Sequence, residues 1–401
     1  MFEPFDASVS ELESRGVLLV QDGNHGNDRP RPDEFVEEGM AFIRAADMQN
    51  GLIDFTSAGR ITAVAVKRIR KGKGLAGDVL LSHKGTVGKV AIAPANSPRF
   101  VCSPQTTFWR STDLDQLDNY FLKYYLTSPF FTSQLDARKG ESDMAPYVSL
   151  TEQRKLVVRL PSIAEQRAIA GVLGALDDKI AANNTLIAVS EEFAILLAGQ
   201  TKPTVAVGDL ASHLKQSVDP LLMNVSCVAH FSLPAYDIDK LPALTRPREI
   251  LSSKFVVAQP SVLISKLNPR FPRVWNVAEL PMEPALASTE FLILDPLWCS
   301  TTVLWALLSQ AEFAINLDGK AAGTSGSHQR VRPADLLATL VGDPREMTEA
   351  LQSRITSVGL LALALRTENR SLAATRDALL PQLMSGKLRV KDAEKSLAGV
   401  L

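Results

Sequence analysis

Two stretches of this chain place apolar residues at the three- and four-residue steps of a helix that packs along one face. In residues 164–197 the series is Ile169, Val172, Leu173, Leu176, Ile180 and Ile187; in residues 344–380 it is Met347, Leu351, Ile355, Val358, Leu361, Leu365 and Leu372. Pro161-Ser162 stand just ahead of the first stretch, and Glu165 suits the positive end of a helix. At 1.5 Å per residue each helix is roughly 45–55 Å long, more than a compact domain needs to cover its core. The matching seams predict an antiparallel, coiled-coil-like pair, with Gly171, Gly174 and Ala175 letting the backbones approach. Two unrelated surface helices, each lying on its own domain, are the alternative.

Ahead of each helix the pattern changes to short apolar runs separated by Gly, Pro, Asn and Ser, which read as strands: 79–81 and 87–93 in the first half, 262–264 and 290–294 in the second. A shorter helical stretch follows in each half, at 117–126 and 301–310. The halves repeat at an offset of 183 residues, which carries Ser82 onto Ser265, Phe108 onto Phe291, Val148 onto Val331 and Pro161 onto Pro344. Two copies of one module account for this register. The expected fold is α+β: two similar α/β modules, 1–162 and 201–343, separated by a central spacer helix, 163–200, and a distal spacer helix with a C-terminal tail, 344–401. The arrangement expected is a pseudo-twofold dumbbell. Such a protein can touch two patches on one duplex, one DNA turn being about 34 Å, and because the copies differ the target would be bipartite and asymmetric.

Composition narrows the partners. With 46% hydrophobic and 22% charged residues the chain is that of an ordinary folded protein, and its net charge of −1 argues against coating DNA by bulk attraction. A local basic run, Lys67-Arg-Ile-Arg-Lys-Gly-Lys73, could still meet several phosphates. Cys102, Cys227 and Cys299 lie far apart with no histidine at ligand spacing, so neither a zinc site nor a disulfide framework is expected. No apolar run approaches the roughly 20 residues of a membrane span, and Met1 to Ser10 do not resemble a signal peptide; a cytoplasmic location without membrane contact is the expectation.

Three segments then become recognisable. Gly77-Asp-Val-Leu-Leu-Ser-His-Lys-Gly-Thr-Val-Gly-Lys-Val-Ala-Ile92 resembles the strand-turn-strand signature of target recognition domains in type I restriction-modification specificity subunits. Leu160-Pro-Ser-Ile-Ala-Glu-Gln-Arg-Ala-Ile-Ala, continuing through Leu173-Gly-Ala-Leu-Asp-Asp-Lys-Ile to Asn183-Asn184, is similar to that family's central helical region. Arg376-Asp-Ala-Leu-Leu-Pro-Gln-Leu-Met-Ser-Gly-Lys-Leu-Arg-Val390 is similar to its C-terminal end. The second copy departs by having Pro344-Arg-Glu-Met where the first has Ala164-Glu-Gln-Arg. The resemblance implies a noncatalytic subunit that binds double-stranded DNA, two N6-adenine methyltransferase subunits and, through them, translocating restriction subunits. Each recognition domain would read one half-site in the major groove, and the helical pair would fix the gap. S-adenosylmethionine, ATP and magnesium would sit on the partners, with no cofactor or metal in this chain.

Catalytic motifs fail at identifiable positions. The loop 83–90 lacks the Gly and Ser/Thr of a phosphate loop, having His83 and Val90 there. Asn268-Pro-Arg-Phe-Pro has Arg270 in place of a methyltransferase proline and reads as a turn at a strand end. Ser327-His328 near Asp335 has no nucleophile elbow. Base reading calls for Arg, Lys, Asn and Gln, with Ser and Thr as tolerant donors. In the first copy these are Asn24, His25, Arg29 and Arg31 in one loop, Lys67, Arg68, Arg70 and Lys71 in the basic run, Lys84 with Thr86, and Tyr147 in the segment 139–147. In the second they are Lys266, Asn268, Arg270 and Arg273, then Ser327, His328, Gln329 and Arg330. By register Lys84 answers Asn268 and Tyr147 answers Arg330. The competing reading is a two-lobed protein-interaction scaffold without direct DNA reading.

Overall fold

The computed structural model describes residues 5–139, 145–320 and 329–397. The chain forms two compact units, Met1–Asp178 with Leu372–Leu401 and Lys179–Ser371, so the division runs through both long helices.

In the first unit, strand Val79–Ser82 lies antiparallel between its hairpin partner Val90–Ile92 and the return strand Thr106–Ser111, which pairs in turn with Leu18–Asp22. Short strands Leu52–Ile53 and Met48–Gln49 extend this sheet to six. A second sheet of five strands carries the parallel pair Met40–Ile43 and Phe100–Cys102. Leu80, Phe100, Phe108 and Ile43 form part of one buried cluster; four continuous buried positions in Val79–Ser82 explain why that strand reads as an unbroken apolar run.

The second unit repeats the plan. Strand Ser261–Ser265 lies between Val274–Val277 and Phe291–Pro296, which pairs with Ala211–Leu214, and a five-stranded sheet carries the parallel pair Val228–Phe231 and Ala285–Ala287. Duplication therefore holds for these four strands of the main sheet and for the parallel pair with its two neighbours, while the first unit's main sheet has two strands more and the outermost strand of the five-stranded sheet lies at the opposite end. One expected match shifts: Ser82 pairs with Thr106 but Ser265 pairs with Phe291, so the offset widens to 185 (291 − 106) in the return strand, and Phe108 corresponds to Ile293, not Phe291.

The proximal helix spans Ile163–Ala198 and the distal helix Glu349–Met384, 36 residues each, hence roughly 54 Å. The proximal helix is long and apolar enough to cross a membrane by length and composition, contrary to the expectation that no stretch approaches that mark. Part of its apolar surface is engaged in packing, Ile169, Leu173 and Leu176 being buried and Ala194 and Leu197 joining the second unit's core, whereas Leu186, Val189, Phe193 and Leu196 are exposed.

Its start is fastened by Gln166, which is fully buried. The Asp118 amide donates to its Oε1 at 3.0 Å, and its Nε2 donates to the carbonyls of Gln116 and Pro161, both at 2.9 Å. Ser162 caps the helix by accepting from the Glu165 amide. The distal helix starts at Glu349, later than the periodicity suggests, because Pro344–Glu346 form a separate 3₁₀ turn. Thr348 then caps it through the Leu351 amide, and Gln352 Nε2 donates to the Pro344 carbonyl at 2.9 Å. The counterpart of Ile163-Ala-Glu-Gln166 is thus Glu349-Ala-Leu-Gln352, and Pro344-Arg-Glu-Met precedes the helix.

Antiparallel pairing is seen within each unit. In the first, Asp177 accepts from Arg376 Nη1 at 2.7 Å, and also from Lys123 Nζ at 2.8 Å and the Tyr124 hydroxyl at 2.7 Å. In the second, Glu191 accepts from Arg366 and Lys240, both at 2.9 Å. Asn183 Nδ2 donates to Glu368 and Asn369, and Asn369 Nδ2 donates to Asn184. Asn183 is buried, and a buried amide in a helix seam fixes its register.

The glycines play a different part from the one expected. Gly171 faces open space and Gly174 approaches Tyr124, whereas Gly359, on the distal helix, lies so near Thr302 that an added Cβ would sit 2.1 Å from its methyl. Leu361 is 43% exposed and Ala362 takes the buried position. Gly359→Ala should therefore cost about 1–3 kcal/mol through overpacking, while Gly171→Ala should gain up to ~1 kcal/mol in helix propensity. Thermal melts of the two variants with opposite signs are the expected outcome; equal and small changes would contradict the packing.

Candidate nucleic-acid interface

At the end of strand Val79–Ser82 the chain keeps its backbone groups paired on both sides. The His83 amide donates to the Gln105 carbonyl at 2.8 Å, the Val148 amide donates to the His83 carbonyl at 2.9 Å, and the Gly85 amide donates to the Pro146 carbonyl at 2.9 Å. Lys84 and Tyr147 thereby face each other in an isolated antiparallel bridge. The second unit repeats every bond: Lys266 to Glu290 at 2.8 Å, Val331 to Lys266 at 3.0 Å, Asn268 to Gln329 at 2.9 Å, with Leu267 opposite Arg330. Gly85 and Asn268 both have positive φ, +77° and +53°, a conformation in which Gly and Asn are the residues of least strain. Tyr147 and Arg330 do correspond. Lys84 corresponds to Leu267, because Asn268 takes the place of Gly85.

The side chains on these two edges differ. In the first, Lys84 and Thr86 are exposed, and Lys84 Nζ lies 5.9 Å from the centroid of the Tyr147 ring, itself 41% exposed. Beneath them His83 is buried with its ring 5.4 Å from Tyr147, and its Nδ1 donates to the Val148 carbonyl at 2.9 Å. In the second, Arg330 chelates Glu290 through Nε and Nη2 at 3.2 and 2.9 Å. This hydrogen bonding holds the Glu290 carboxyl below its ordinary range. Arg273 chelates Asp237 at 2.7 and 2.9 Å, Arg270 is exposed, and Lys266 and Gln329 are half-buried. Ser327 and His328 lie outside the described residues.

The strand Leu18–Asp22 flanks the return strand on its other side and runs in the same direction as Val79–Ser82. Its following loop, 23–31, therefore leaves from the same end of the sheet as His83-Lys84, with the Gly23 amide bonded to the Thr106 carbonyl. Asn24, Arg29 and Arg31 are exposed there. His25 is buried, with Nε2 donating to the Cys102 carbonyl at 2.8 Å, so it frames the loop from within. Arg68 is likewise a strut: it chelates Glu34 at 2.8 and 2.6 Å and reaches the Arg29 carbonyl. That contact brings the helix Ala63–Arg68 onto the loop. Lys71 pairs with Asp22 at 3.0 Å, while Lys67 and Arg70 project outward, the Arg70 side chain 90% exposed.

The same geometry in the second unit reveals a cation that the pattern reading missed. Strand Ala211–Leu214 flanks Phe291–Pro296 and leads to exposed Lys215. The His213 imidazole is held below its ordinary value by burial first, then by Lys215 and Lys266. A single lysine after a strand carries no sequence signal; only its place beside Lys266 marks it.

Residues 25–191 match the family described as the type I restriction modification DNA specificity domain. A curated protein from Methanocaldococcus jannaschii, named "Putative type I restriction enzyme MjaX specificity subunit", is 25% identical over 154 residues, 38% of this chain and 36% of that protein. The match thus spans about a third of the relative's length. The crystal structure of the type I restriction-modification S subunit from M. genitalium is similar with a TM-score of 0.55 at 14% identity, over 95% of this chain and 96% of that one. That of the HsdS subunit from Thermoanaerobacter tengcongensis gives a TM-score of 0.37 at 16% identity, over 96% and 97%. The M. genitalium likeness shows the fold of the chain through both copies.

The buried histidines make the first edge sensitive to acid. Burial pushes the His83 imidazole below its ordinary value of 6.5, against the Val148 carbonyl, and does the same to His25 against the Cys102 carbonyl. The unfolded chain then takes up the proton first, so the stability contributed is full above about pH 6.5 and is lost as pH falls towards the folded value. Amide exchange in the segment 82–90 should accelerate on going from about pH 7.5 to about 5.5, after correction for intrinsic rates. In His83→Asn, whose amide can still donate to Val148, that acceleration should shrink. An unchanged pH response would rule out His83 as its source.

Proposed function

We propose, for a chain whose residues 25–191 match the type I restriction modification DNA specificity domain family, that it is the subunit which reads a bipartite, asymmetric DNA target for a methyltransferase-nuclease complex. Each module would read one half-site in the major groove through the edge at the end of its central strand. The observation that carries this reading is the repetition of that edge: the same backbone bonds recur at His83–Gly85 and Lys266–Asn268, while the side chains they present differ. A duplicated frame with divergent donors suits a target in two unlike halves.

The reading gives direct contact to Lys84, Thr86 and Tyr147 in the first half, joined by Asn24, Arg29 and Arg31 from the neighbouring loop. Lys67, Arg70 and Lys71 would meet phosphates. In the second half Lys266, Asn268, Arg270, Gln329 and Arg330 border the groove, with Lys215 beside them and Ser327 and His328 following. His25, Arg68 and Arg273 act by holding the loops. The ion pair of Arg330 with Glu290 is exposed and screened by water, so the guanidinium can be surrendered to a guanine at little cost.

The chain itself would perform no catalysis. It would dock two methyltransferase subunits on the helical pair and through them the restriction subunits, in the cytoplasm, with S-adenosylmethionine, ATP and magnesium bound by those partners.

Methylome sequencing of a strain expressing the system should report two unlike half-sites at a constant gap, and a labelled duplex with that sequence should be shifted by the chain. Arg330→Ala should weaken binding by about 1–3 kcal/mol at fixed salt. A chain that co-purifies with a methyltransferase but leaves its methylated duplex unshifted would favour the protein scaffold instead.

Inserting seven residues into each long helix at matched positions adds two turns, roughly 10 Å or three base pairs. The methylated gap should lengthen while both half-sites stay the same; altered half-site bases would defeat the spacer idea.

A further inference from the structure

Each edge presents an exposed aromatic ring with exposed cations about it, but the ring exchanges its place between the two copies. In the first, the hairpin carries Lys84 and the opposing segment carries Tyr147. In the second, the opposing segment carries Arg330 and the hairpin carries Phe271, 70% exposed. The exchange has a structural origin. The Ser82 amide bonds to the Lys89 carbonyl and the Ser265 amide to the Arg273 carbonyl. Three residues, Thr-Val-Gly, thus separate Gly85 from Lys89, whereas four, Pro-Arg-Phe-Pro, separate Asn268 from Arg273.

Phe271 is held out by its surroundings. Pro269 and Pro272 flank the Arg270-Phe271 pair, each with its φ fixed by its ring. The Phe271 amide donates to the Asn268 carbonyl at 2.9 Å, closing the turn. The Asn268 amide ties its beginning to Gln329, and chelation of Asp237 by Arg273 ties its end. An exposed phenylalanine on a floppy loop would fold back on the surface; this one stays outward, with the Arg270 guanidinium 5.9 Å from its ring centroid.

We infer that Phe271 is a specificity-determining residue, and that its ring packs against the C5-methyl group of a thymine in the second half-site. This rests on the DNA-reading function proposed above. The thymine methyl is the one apolar feature of the major-groove edge, and an aromatic side chain is among the groups that meet it. Wedging between base pairs is the other use of such a ring and belongs to the minor groove; the exposed Arg270 guanidinium beside Phe271 is instead suited to guanine O6 and N7 in the major groove.

The test uses the full-length chain and duplexes carrying the methylated target, with each thymine of the second half-site, on either strand, replaced singly by deoxyuridine. This removes one methyl and keeps every hydrogen bond. At one position the wild type should lose about fourfold in affinity, the worth of one buried methyl. Phe271→Ala should bind the intact target more weakly and be indifferent to uracil at that position, whereas Phe271→Leu should keep part of the sensitivity. Melting curves verify that both variants fold, as the exposed position leads one to expect. A half-site without thymine, uracil tolerated everywhere by the wild type, or the same uracil penalty in Phe271→Ala overturns the assignment. Failure of the wild type to shift the intact target overturns the DNA-reading function itself, and the assignment with it.

Discussion

A strand that ends at a sheet's edge leaves amides and carbonyls which must be satisfied, and here the chain meets that demand with a distant segment in place of water. His83 and Gly85 are bonded to Gln105 on one side and to Pro146 and Val148 on the other; Lys266 and Asn268 are bonded to Glu290 and to Gln329 and Val331 in the same way. Everything outward of these bonds inherits its position from them. The isolated bridges place Lys84 across from Tyr147 and Leu267 across from Arg330, and the positive φ at Gly85 and Asn268 turns both hairpins at the same step.

Because the frame consists of backbone bonds, it tolerates almost any side chain that its geometry admits, and evolution of one copy need not disturb the other. The bonds survive an added residue in the second hairpin and a two-residue shift in its return strand. The contents have diverged much further: a lysine above a tyrosine and a buried histidine in one copy, a chelated arginine on one segment and a phenylalanine with Arg270 on the other in the second. Constant frame and variable face are what a reader of two unlike half-sites requires.

The same division decides what could be read from the sequence. The offset of 183 was legible at Ser82 and Ser265 and at Val148 and Val331 because those residues sit at the bonded frame itself. It misled at Phe108 because side chains alternate along a strand, so a shift by two leaves the apolar pattern intact. Both Phe291 and Ile293 are buried and only the ladder tells them apart. The proximal helix was legible nearly to its ends, whereas Pro344 was mistaken for a helix start when it opens a separate 3₁₀ turn. Periodicity marks which face of a helix is apolar without saying what approaches it, and so the pattern pointed to Gly171 and gave no sign of the close approach at Gly359. The basic run gave no hint that Arg68 belongs to Glu34 and Lys71 to Asp22, since a partner far along the chain leaves no local trace.

The long helices show how a polar device can serve where an apolar seam is weak. Asp177 on the proximal helix takes Lys123 from the first module and Arg376 from the distal helix; Glu191 takes Lys240 from the second module and Arg366 from the distal helix. One carboxylate therefore ties three elements together in each unit. Burial alone would raise the Asp177 carboxyl, yet its cationic partners and the Tyr124 hydroxyl outweigh that and hold it below the ordinary range. Removing one partner would leave each carboxylate with a single cation, and removing both would leave a charge uncompensated, which costs more than the pairing contributes. Neither helix can then loosen from its module without stranding a charge, so within each unit the helical pair and the recognition module behave as one body.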